Sequence, residues 1–79
     1  MKIQVNKDAI KQRKEKYVQR IIDQAHVTAE SGKSKFYIDL VRDELFTTSD
    51  IIRIVTERTE GTVQRGMYTN GQILMKIKT

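Results

Sequence analysis

The chain opens on a period of two. Met1, Ile3 and Val5 alternate with Lys2 and Gln4, which predicts a short strand. The period then lengthens: Ile10, Tyr17, Val18, Ile21, Ile22, Ala25 and Ala29 fall on one face at about 100° per residue, with Arg13, Lys16 and Arg20 on the opposite side. Asn6 offers a cap, and Asp8 stands in the first turn, where the helix dipole favours a negative charge. The spacing predicts a long helix from about Lys7 to Ser31.

Gly32-Lys33-Ser34 has the letters that close a phosphate-binding loop. Such a loop also needs a glycine five residues upstream and a strand leading into it. Position 27 is valine and a helix precedes it, so Gly32 reads as a helix stop. No nucleotide site is expected there.

Phe36, Ile38 and Leu40 alternate with Tyr37 and Asp39 as a second strand. Arg42-Asp43-Glu44 reads as a turn or a short helical piece, with Asp43 and Glu44 solvated. Thr47, Thr48 and Ser49 supply capping hydroxyls for a second helix, whose apolar face is Ile51, Ile52, Ile54 and Val55 and which ends near Gly61.

Asn70-Gly71 between two strand-like runs marks a two-residue hairpin. Uninterrupted pairing sets Thr69 opposite Gln72, Tyr68 opposite Ile73, Met67 opposite Leu74, Gly66 opposite Met75 and Arg65 opposite Lys76. One face then carries Tyr68, Ile73, Gly66, Met75, Gln64 and Ile77. The other carries Val63, Met67 and Leu74 beside Arg65, Lys76 and Lys78.

The fold expected is α+β, over residues 1–79 as a single domain. It is a two-layer arrangement: a small, mostly antiparallel sheet ending in a β-hairpin, with one long and one shorter helix packed on one face.

Composition narrows the functions. At 79 residues a single core is near its lower size limit, and there is no cysteine to add a disulfide or a thiolate metal site. The lone histidine, His26, lies on the flank of the first helix with no motif around it. Asp39, Asp43 and Glu44 lack the glycine-spaced loop of a calcium site. No catalytic grouping, cofactor or metal site is expected. No apolar run approaches a membrane span, so a cytoplasmic protein without membrane contact is expected.

Charge is segregated. Residues 1–35 carry nine Lys/Arg against four Asp/Glu, residues 36–60 three against six, and residues 61–79 three against none. Lys7, Lys11, Arg13, Lys16 and Arg20 on the first helix, with Arg65, Lys76 and Lys78 on the hairpin, are the candidate contacts to nucleic-acid phosphates. Val63, Met67 and Leu74 are the candidate interface for a homodimer, a higher homo-oligomer or another protein.

The order helix, strand, short helical piece, helix, hairpin over residues 7–79 resembles a winged helix-turn-helix domain. That resemblance implies a recognition helix at residues 50–60 and a wing tip at Asn70-Gly71. The outward set there would be Asp50, Arg53, Thr56, Glu57 and Glu60, three acids to one base, which opposes docking on phosphates. The compact chain without Cys or Pro, its helix closing on Gly-Lys and its terminal Asn-Gly hairpin also resemble small accessory proteins of tailed bacteriophages. This implies a non-enzymatic role in the host cytoplasm: binding nucleic acid, blocking a host or defence protein, or sequestering a small ligand.

Overall fold

The computed structural model describes residues 1–78. Its elements are α1 (Lys7–Glu30), β1 (Lys35–Asp39), α2 (Thr48–Arg58), β2 (Val63–Thr69) and β3 (Gln72–Ile77). Local chemistry sets the ends of α1. The Asn6 side chain accepts from the Asp8 and Ala9 N–H groups at 2.9 and 3.1 Å, satisfying two donors that a helix start leaves without partners. At the other end, Lys33 N–H donates to the Thr28 carbonyl and Gly32 N–H to that of Ala29, both at 3.0 Å. These two bonds form a Schellman stop, so Gly32-Lys33-Ser34 follows a helix, with no strand leading in.

α2 begins on a capping box: Asp50 N–H donates to Thr47 Oγ1, and Thr47 N–H donates to the Asp50 carboxylate, each at 3.1 Å. That pair of bonds holds a helix start whose β-branched residues have low intrinsic propensity. The Asp50 pKa is lowered, chiefly by the bond from the Thr47 backbone. Residues 40–47 form a loop without a helix.

The sheet has the order β1-β3-β2 with both pairings antiparallel. Both helices pack on one of its faces. Val18, Ile21 and Ala25 of α1, Ile51, Ile52 and Val55 of α2, and Phe36, Ile38, Val63, Ile73 and Met75 of the sheet form one buried cluster. Fully burying a side chain of this size contributes about 1.5–3 kcal/mol. The one buried polar side chain among the described residues, Thr28, donates its hydroxyl to the Gln24 carbonyl at 2.8 Å.

Two expectations are corrected. Residues 1–6 form no strand; Met1, Ile3 and Val5 are exposed, because α1 carries its own start away from the sheet and no strand lies beside the segment. The hairpin is also not paired without interruption. Asn70 and Gly71 have φ of 49° and 81°, as a type I′ turn requires, and Thr69 and Tyr68 pair with Gln72 and Ile73. The register then shifts: Arg65 lies opposite Met75, Gln64 opposite Lys76 and Val63 opposite Ile77. Gly66 and Met67 together oppose Leu74, a β-bulge.

One extra residue moves every earlier side chain of β2 to the other face. Val63 therefore belongs to the core rather than to an exposed strip. Arg65 turns to the helix side, where Nη1 donates to Ser49 Oγ at 3.1 Å. The bulge needs glycine, because a Cβ at position 66 would sit 2.9 Å from the Leu74 carbonyl oxygen.

Two outcomes follow. Gly66→Ala should destabilise the protein by about 1–3 kcal/mol, since a backbone oxygen is the obstacle; a denaturation midpoint equal to the parent's would show that the bulge yields freely. Gly71→Val should cost a similar amount, about 1–3 kcal/mol, by forcing a β-branched residue to positive φ. An unchanged melting temperature would mean that the turn tolerates it.

Candidate nucleic-acid interface

The inward seam of α1 repeats with spacings of four and three. Its buried residues are Val18, Ile21, Ala25 and Thr28. The same spacing continued toward the N-terminus lands on Lys14, Lys11 and Lys7. The stripe that enters the core in the second half of the helix is thus lysine in the first half. Before Val18 nothing on α1 is fully buried. A helix of 24 residues is about 36 Å long at 1.5 Å per residue, whereas a strand of five residues covers only about 17 Å. The first half of α1 therefore runs past the sheet.

The 40–47 loop rises to meet part of this overhang. Arg13 Nε and Nη2 donate to the two Asp43 oxygens at 2.7 and 3.2 Å, and Tyr17 Oη donates to the same carboxylate at 3.3 Å. Leu45 N–H completes the set at 3.0 Å. The Asp43 side chain is only 6% exposed, which corrects the expectation of a solvated carboxylate. Its pKa is lowered, first by the Leu45 N–H and then by the Arg13 hydrogen bond, against the opposing effect of desolvation. Phe46 fills the space beneath, edge-on to Tyr17 with centroids 6.4 Å apart, and its ring lies 5.5 Å from the Arg13 guanidinium and 6.0 Å from Lys14 Nζ.

Arg13 is therefore engaged by an internal partner, although its own side chain stays 41% exposed. Glu15 is also engaged: Arg58 of α2 forks onto it, with Nη1 to Oε2 at 2.7 Å and Nη2 to Oε1. This pair lowers the Glu15 pKa and raises that of Arg58.

Apart from Asp8, the charges left exposed on the overhang are cationic, and Arg20 continues them beside the cleft against β1. Lys7, Lys11, Lys16 and Arg20 are exposed, and no ion pair among the described residues involves them. Lys16 and Arg20 border a shallow groove with Gln19, Asp23, Gln24 and Val27. Asp23 there accepts from Gln19 Nε2 at 2.8 Å.

The hairpin cations do not join this group. Lys76 lies opposite Lys35 at the far end of β1 from the overhang, Lys78 follows β3, and Arg65 faces Ser49. Two cations directly opposed on one sheet face destabilise each other. Met67 is 74% exposed beside the bulge, while Leu74 is half-buried on the outer face. Residue-by-residue reading passed over Lys2, Lys14 and Lys35. The four-three spacing of Lys7, Lys11 and Lys14 with Val18 was the available signal for Lys14. Among the described residues no group of three or more His, Asp or Glu could hold a metal ion.

The carboxylates of Asp43, Glu15 and Asp50 all have lowered pKa values in the fold. Their contribution is complete above the ordinary carboxylate range of about 4 and is lost as pH falls through the lowered values. The melting temperature should therefore hold between neutral and mildly acidic pH and fall steeply below about 4. Asp43→Asn should lower it by several degrees at neutral pH and flatten the acid limb. An unaltered acid limb in that variant would remove Asp43 as a cause.

No protein-family model matches this sequence, and neither a curated protein nor a solved structure matches it.

Proposed function

We propose that the protein is a non-enzymatic nucleic-acid-binding accessory or regulatory protein whose contact surface is the cationic overhang of α1. The observation that carries this reading is the change of the α1 seam from Val18, Ile21, Ala25 and Thr28 to Lys14, Lys11 and Lys7 where the helix leaves the sheet. Lys14 packs over the Phe46 ring, whereas Lys7 and Lys11 continue the seam as exposed cations that no ion pair among the described residues engages. Lys16 and Arg20 add charge on the opposite side, and Lys2 precedes the helix. Long ammonium side chains on a protruding rod reach phosphates from several directions, which supports affinity for the backbone without reading base sequence. The exposed side of α2 offers Arg53 with Glu57 and carries less attraction for an anion.

A second reading, an inhibitor that grips another protein, draws support from the exposed Met67 and Tyr68 near the hairpin tip. It locates contact at the bulge rather than on α1.

Anisotropy titrations of labelled duplex DNA and single-stranded RNA test the first reading. Four phosphate contacts would weaken binding about a hundredfold between roughly 50 and 200 mM salt. Lys7→Glu, Lys11→Glu and Lys16→Glu combined should abolish binding, while Met67→Lys should leave it intact. Binding that ignores both salt and the triple reversal sinks this reading, and loss of binding on Met67→Lys alone would move the site to the hairpin.

A further inference from the structure

We propose that residues 1–5 form an arm that adds as a fourth strand to the β1 edge of a second copy of this chain. β1 is an edge strand, flanked only by β3. Ile77 N–H donates to the Ser34 carbonyl, so by antiparallel alternation Phe36 and Ile38 also bond toward β3. Lys35, Tyr37 and Asp39 direct their backbone groups outward. Beside that edge, Tyr17, Ile21, Ile38, Leu40 and Val41 line a cleft of about 250 Å³ between α1 and β1. A strand laid on the edge would drop alternate side chains into it.

The arm has the matching pattern. Met1, Ile3 and Val5 alternate with Lys2 and Gln4, and the five residues equal β1 in length. Antiparallel pairing with the apolar set toward the helices places Val5 beside Phe36, Ile3 beside Ile38 and Met1 beside Leu40. In the same register Gln4 falls beside Tyr37 and Lys2 beside Asp39, opposite charges on the outer face. The parallel arrangement with the same faces would set Lys2 against Tyr37 and lose that charge match. Of the nine large apolar side chains exposed among the described residues, five (Met1, Ile3, Val5, Tyr37 and Leu40) lie on this arm or this edge. The pairing covers Met1, Ile3, Val5 and Leu40 on the helix side and sets Gln4 beside Tyr37 on the outer face.

The arm cannot lie along its own β1. Tyr17, Arg20 and Asp39 border the same cleft, and Asn6 lies about 16 to 21 Å farther out along the helix at 1.5 Å per residue. Five extended residues span at most about 17 Å, so the crossing alone would use up the arm and leave none of it to pair. The strand must come from another chain. Reciprocal exchange of arms then gives a closed two-fold dimer, with the chain turning at Asn6.

Analytical ultracentrifugation of the full chain should give twice the 9.2 kDa subunit mass. Ile3→Asp should raise the dimer dissociation constant about tenfold or more while leaving helical circular dichroism and subunit melting intact, since Ile3 touches no core. Lys2→Asp and Asp39→Lys should each weaken the dimer, and the two together should restore it. A mass that stays at one subunit up to high concentration would falsify the proposal. So would a dimer that is indifferent to Ile3→Asp, or one that dissociates on Leu74→Lys alone.

Discussion

A long helix laid on a short sheet is the constraint from which the rest of this structure follows. Only the second half of α1 has strands and α2 beneath it, and there its seam is Val18, Ile21, Ala25 and Thr28. The first half has nothing of comparable size to lie on. It is held by the 40–47 loop, through Asp43 and Phe46, and by Arg58 of α2 on Glu15, and otherwise stands in water with lysine where a core residue would be. An apolar seam in that half would be an exposed sticky stripe; a lysine seam keeps it soluble and makes it attractive to anions.

The same geometry divides the charges into two kinds. Arg13, Glu15, Asp43 and Arg58 neutralise one another across element boundaries, and their hydrogen bonds fix α2 and the 40–47 loop against α1. Exposed pairs of this kind contribute little individually; the Asp43 carboxylate differs because it is nearly enclosed and accepts from three residues. Removing its partners would leave a poorly hydrated charge. Lys7, Lys11, Lys16 and Arg20 have no such internal task, and their cost is mutual repulsion that an anionic ligand would relieve.

On the sheet, the bulge at Gly66 decides which residues of β2 the core receives. It turns Val63 inward, sends Arg65 toward Ser49 and leaves Met67 outside. The open β1 edge and the unpartnered arm are complementary consequences of the helix length: the arm begins too far along the rod to return to its own sheet.

Much of the architecture was set by the sequence itself through short-range rules. Asn6, Thr47 and the Gly32 stop bound the helices, and Asn70-Gly71 forces the hairpin, because caps and turns depend on bonds within a few residues. The helical and strand periods also identified Val18, Ile21, Phe36, Ile38, Ile51 and Val55 as inward-facing. Of the proposed contact surface, the cationic side chains of α1 were legible, but not which of them were already spoken for. Arg13 looked like its neighbours until a carboxylate 30 residues away engaged it. The bulge at Gly66, the alternating arm left without a sheet, and the separation of Lys35 and Lys76 from α1 were decided only in three dimensions. Each depends on where distant segments meet, and periodicity fixes a side chain's direction from its own element without fixing what lies opposite.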